Sequence, residues 1–107
     1  MSGSTVSATT RVATDAPQRV MTRLCRHFAH KTPVELQEAC GRIGFRSGGH
    51  AELQATGSSL EIRVIAADEP ALVTLIAVVE RHLGMVWFRD ALPALEWIRT
   101  VEPPSRS

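Results

Sequence analysis

Between Val34 and Ala66 apolar residues recur at every second position in four short runs, and this period constrains the fold more than any other feature. The runs are Val34 and Leu36, then Ile43 and Phe45, then Ala51, Leu53 and Ala55, then Leu60, Ile62, Val64 and Ala66. Successive side chains of a strand point to opposite faces, so each run buries one face and leaves the other to water. Cys40-Gly41, Ser47-Gly48-Gly49 and Gly57-Ser58-Ser59 separate the runs with residues suited to turns, which predicts a four-stranded antiparallel meander. Positions between the apolar ones, among them Arg42, His50, Glu52, Glu61 and Arg63, are polar and of mixed sign. Cover is therefore needed on one face only.

Two helical stripes are available to supply it. Asp15-Ala16-Pro17-Gln18 reads as a helix start with Asp15 at the N-cap, and Val20, Met21, Leu24 and Phe28 follow at spacings of three and four. Thr32-Pro33 ends that helix, because the residue before proline avoids the α region. A second stripe runs from Asp68-Glu69-Pro70 through Leu72, Leu75, Ile76, Val79 and Leu83 to Gly84. The Thr, Val and Ala content from Ala8 to Thr14 suits a strand, expected beside the last strand of the meander, with a parallel neighbour as the alternative. Strand, helix, four strands and helix describe an α+β two-layer sandwich, an antiparallel sheet with both helices on one face. Half of the TATA-binding-protein fold and a reduced helix-grip domain share that order, an analogy that assigns no function.

After Gly84, MVWFRD is expected as a last strand or an extended arm, and Pro93 to Arg99 as a final turn of helix carrying Trp97. The domain is expected to span residues 8–101, with disordered tails at 1–7 and 102–107, where small polar residues and prolines predominate.

A chain of 107 residues with 44% hydrophobic content suffices for one modest core. Twelve Lys and Arg against eleven Asp and Glu leave a charge of +1, so no global field draws it to nucleic acid or anionic lipid. Tyr is absent and aromatics are 5%, so stacking platforms for single strands are missing and no nucleic-acid partner is expected. No apolar stretch approaches the roughly 20 residues that span a bilayer, so no membrane partner is expected. The first ten residues have neither a basic start nor an apolar run, which points to the cytoplasm. Cys25 and Cys40 lack ligand spacing and read as two free thiols.

Chemistry concentrates in Leu24 to Lys31, LCRHFAHK. At about 100° per residue, His27 falls some 60° to one side of Leu24, with Arg23 and His30 further round, while His82 borders Val79 by a similar angle. If the helices lie side by side, Arg23, His27, His30, Lys31 and His82 form a ligand-binding margin. His27, His30 and His82 are also candidate metal ligands, with Glu80 an alternative third donor, and haem belongs to the same reading. Against these stands the ordinary use of His and Lys at a helix end, capping terminal carbonyls for about 0.3 to 1 kcal/mol each. Arg19, Arg23 and Arg26 read as a basic patch or a solvated face. Cys25, some 160° from His27, reads as a small buried hydrophobe, and Cys40 as the accessible thiol. Trp87, Phe88 and Trp97 roof the core or meet a second subunit. Val73, Val78 and Ile65 lie outside the stripes, an apolar surplus that suggests a homodimer.

LCRHFAHKTPVEL, GRIGF, LEIRVIAADEPAL and ERHLGMVWFR with a later Trp resemble the small bacterial family known as domain of unknown function 2218, over roughly Ala8 to Arg99. That resemblance implies a common fold and carries no assigned catalytic or binding positions. It also implies a connection with iron acquisition, members being found near or joined to siderophore-interacting flavin reductases, which makes such a reductase the expected protein partner. The leading expectation is a non-enzymatic domain that binds a small ligand or partner in iron or siderophore handling. Its cofactor is not specified by the sequence. A metal- or haem-dependent hydrolase or redox accessory using His27, His30 and His82, and a structural homodimer subunit, are the alternatives.

Overall fold

The computed structural model describes residues 5–46, 48–87 and 92–102. They form β1 (Thr5–Ala13), α1 (Pro17–Ala29), β2 (Val34–Leu36), β3 (Cys40–Gly44), β4 (His50–Thr56), β5 (Ser59–Ala66), α2 (Glu69–Val86) and β6 (Ile98–Glu102). The strands build one sheet in the order β2-β3-β4-β5-β1-β6, every neighbouring pair antiparallel. The α+β sandwich, the meander and the place of β1 beside β5 are as the sequence predicts.

Antiparallel pairing throughout makes β1 and β2 run the same way, and likewise β5 and β6 in the opposite direction. Each helix is thus the crossover of a parallel pair, and the two crossovers move sideways in opposite directions. Right-handed connections then place both helices on the same face. α1 lies over β2 to β5, α2 lies over β5 and β1, and the helices touch each other.

The register lines up the buried side of the sheet in rows. Val34, Ile43, Ala51, Val64 and Ala8 form one row, and Leu36, Gly41, Leu53, Ile62 and Thr10 the next. Against these rows α1 sets Val20, Met21, Leu24, Cys25 and Phe28, and α2 sets Leu72, Leu75, Val79, Leu83 and Val86, all buried. The opposite face carries a mixed-charge surface: Arg11 pairs with Glu61 at 2.8 Å, and Glu52 lies 3.6 Å from Arg63 and 3.2 Å from His50.

Three local expectations are corrected. Asp15 is not the N-cap of α1: Ala16 holds that position without a side-chain cap, and its amide donates instead to Thr14 Oγ1 at 3.1 Å. Pro17 at the first helical position fixes the entry, and it is buried. The same motif at α2 behaves as expected, Asp68 Oδ1 accepting from the Ala71 amide at 3.0 Å.

α2 continues through Gly84 to Val86 and closes with the Trp87 amide donating to Leu83 at 3.0 Å. A mid-helix glycine costs about 1 kcal/mol, and burial of Val86 beneath the last turn offsets it. Of MVWFRD, Met85 and Val86 are therefore helical, Trp87 is the cap, and Phe88, Arg89 and Asp90 lie outside the described residues.

The last strand is β6, and residues 92–97 have no regular structure, so Trp97 sits ahead of a strand rather than in a helical turn. β1 begins at Thr5 and β6 reaches Glu102, so the sheet takes in residues from both expected tails. Trp87 and Trp97 are half-buried against the core. Among the described residues no helix is long and apolar enough to cross a membrane.

Candidate functional site

α1 runs alongside β3 and ends where β3 leaves the sheet. The Phe28 carbonyl accepts from the amides of Lys31 and Thr32 at 2.9 and 3.0 Å, which folds the chain back toward β2. Backbone amides thus meet this terminal carbonyl, and the imidazole of His27 is turned toward α2.

His27 of α1 and His82 of α2 face each other with ring centroids 4.9 Å apart. The His82 ring also lies 4.7 Å from that of Phe28, and Phe28 meets Phe45 edge-on at 5.7 Å and 89°. Four rings in contact thus line the seam between the helices. Nδ1 of His82 donates to the Val78 carbonyl at 2.7 Å, since a carbonyl can only accept. In the neutral ring this fixes the proton on Nδ1 and leaves Nε2 as an acceptor.

Below these rings opens a cleft of about 880 Å³. The end of α1 contributes His27, Phe28, His30, Lys31 and Thr32; the turn after β3 contributes Phe45 and Arg46; α2 contributes Thr74, Leu75, Val78 and His82. No carboxylate is among them. Three other depressions, of about 470 to 540 Å³, are smaller, and Glu61 lines two of them while Asp15 lines the third.

The cleft's cationic character acts on His27. Desolvation first, then the positive fields of His82, Lys31 and His30, hold its pKa below the ordinary histidine value. Cys25, on the other side of α1, is buried, and desolvation pushes its thiol up to about 11, so it is not poised as a nucleophile. Cys40 is exposed, its thiol donating weakly to Gln37 Oε1 at 3.5 Å.

Of the residues expected to act together, the structure brings His27, His30, Lys31 and His82 to one cleft. Arg23, one turn before His27, is exposed and does not line it. The three-ligand metal site is not formed: among the described residues no three His, Cys, Asp or Glu side chains gather to hold one ion. Glu80, the alternative third donor, is turned toward the C-terminal segment, where its Oε2 accepts from Trp97 Nε1 at 2.7 Å.

Val73, Val78 and Ile65 do not form one apolar patch. Val73 is half exposed on α2, Val78 lines the cleft, and Ile65 lies on the opposite face of the sheet.

Phe45 and Arg46 were not expected at the site. Chain direction carries the missing signal, because a helix returning from β1 finishes at the end of the sheet where β3 also finishes.

The family model described as an uncharacterized protein conserved in bacteria (DUF2218) matches residues 9–98. Among solved structures the chain is similar to the NMR structure of PA4090 from Pseudomonas aeruginosa, with 28% identity and a TM-score of 0.66. That match covers 94% of this chain and 98% of the other. No curated protein matches.

Proposed function

As the chain belongs to this uncharacterized bacterial family, DUF2218, we propose that it is a non-enzymatic binding module, holding a small ligand in the cleft between the end of α1 and α2 as an accessory in iron or siderophore handling. The observation that carries the reading is the cleft itself, about 880 Å³ with an apolar floor and a basic rim. Ligand sites are typically concave and mostly apolar, with a few converging polar groups that fix orientation. Ferric siderophores and haem combine extended apolar or aromatic surface with anionic groups, which suits such walls. A siderophore-interacting flavin reductase is the protein partner this role implies.

The enzymatic alternative is less well supported. His82 is oriented by the Val78 carbonyl as a catalytic base would be, yet among the described residues no carboxylate or thiol lines the cleft beside it. A metal-dependent version would need a third donor that the described residues do not bring to the two imidazoles.

Thermal melting with ferric siderophores, haem and divalent metals tests the proposal, because a ligand bound by the native state alone raises its melting temperature. At a hundredfold excess over Kd the gain is about 2.7 kcal/mol, a shift of several degrees for a domain of this size. A His82→Ala, Phe45→Ala variant should lose that shift. An unchanged melting temperature across the whole panel would overturn the iron-related role.

A further inference from the structure

Resting on the reading of the cleft as a ligand site, we propose a narrower identity for its occupant: an aromatic monocarboxylate, with its ring among the aromatic walls and its carboxylate on the basic rim. Three observations point the same way. Of the eleven described residues lining the cleft, five carry or can take a positive charge, His27, His30, Lys31, Arg46 and His82, and none is acidic. The rim charges converge from three separate elements, the end of α1, the turn after β3 and α2, so an anion between them is approached from several sides. Among the described residues no carboxylate forms an ion pair with Lys31 or Arg46.

The apolar part is specific in kind. Phe28 and Phe45 stand edge to face, and the imidazoles of His27 and His82 continue the series. Rings offer both edges and faces to a further ring, and such pairing contributes about 0.5 to 1.5 kcal/mol beyond the area buried. A ligand that is apolar but uncharged would leave the rim's cations facing one another, and a small inorganic anion would leave the floor wet. An aromatic acid satisfies both parts.

Binding an anion here favours the protonated imidazoles, so affinity rises as pH falls through the histidine range. His82 from α2 and Lys31 and His30 from the end of α1 bear on His27 and all act in the same direction, and Arg46 from the turn lines the same cleft.

Isothermal titration with nitrogen-resolved NMR mapping decides the matter, using 2-naphthoate, the uncharged 2-naphthalenemethanol, decanoate and inorganic phosphate. At about pH 6 the naphthoate should bind at least tenfold tighter than the alcohol or phosphate and tighter than decanoate, moving amide resonances of residues 27–32, 45–46 and 74–82. Its advantage over the alcohol should shrink at about pH 8. Lys31→Gln with Arg46→Gln should weaken naphthoate several-fold and leave the alcohol unchanged, while Phe45→Ala should weaken both.

Equal affinity for acid and alcohol, with both mapping to the cleft, would overturn the carboxylate and leave the ligand site standing. Tighter binding of decanoate would overturn the aromatic preference. Failure of all four probes to move cleft resonances would overturn the proposal, and the siderophore and haem melting series would then decide whether the site reading falls with it.

Discussion

At the scale of single residues, one tight constraint on side-chain choice lies between Gly41 and Cys25. A Cβ at Gly41 would lie 2.9 Å from Cys25 Sγ, nearer than real Cβ contacts come, and the sulfur belongs to a buried side chain with no room to swing away. Gly41→Ala should therefore destabilise by about 1 to 3 kcal/mol through overpacking, measured as a lower urea midpoint at unchanged slope. Adding Cys25→Ala should recover part of that loss, because the two changes share one contact. Purely additive costs would show that the sulfur does not set the limit. The role of Cys25 as a small buried hydrophobe was legible from its angle on the helix, whereas its partner was not, since Gly41 looked like turn chemistry. The register of β3 against β4 puts it opposite Leu53, inside the sheet.

At the scale of elements, α2 is tied to the C-terminal segment at two points. Trp97 Nε1 donates to Glu80 at 2.7 Å, and Arg99 meets Glu69 through two nitrogens at 2.8 and 3.1 Å. The first bond is partly buried and the second exposed, so they should differ in weight. Trp97→Phe leaves the Glu80 carboxylate without its donor and should cost about 1 to 3 kcal/mol, with faster amide exchange in β6. Arg99→Ala should change stability little, because exposed ion pairs contribute little against solvent and salt. Equal effects of the two would contradict this ranking.

The element these bonds hold was the hardest to read. The meander was plain because four strands each bury alternate side chains. β6 shows no such pattern: Ile98 is 70% exposed, and Arg99 points to the helix side, where Glu69 meets it. An edge strand whose inward position is an arginine gives periodicity nothing to detect. The start of α1 misled for a similar reason, a carboxylate before proline being a good local cap signal that Thr14 displaced by bonding the Ala16 amide.

At the scale of the whole molecule, two crossovers of one hand set both helices on the same face and bring their imidazole-bearing margins together. The approach of His27 to His82 was legible because each borders its own apolar stripe, and stripes that share a core must place their borders side by side. Phe45 and Arg46 were not, since their part depends on which end of the sheet α1 reaches. Together these residues make a cleft with a cationic rim, and the reading of function rests on that rim attracting an anion. Proton NMR titration of the His27 ring tests it most directly, with and without saturating 2-naphthoate. In the free protein its midpoint should lie below the ordinary histidine value of 6.5, because burial and its positive neighbours favour the neutral ring. With the carboxylate bound the midpoint should rise, the added negative charge favouring the protonated form. A midpoint that stays in place at saturation would contradict an anion held among these side chains.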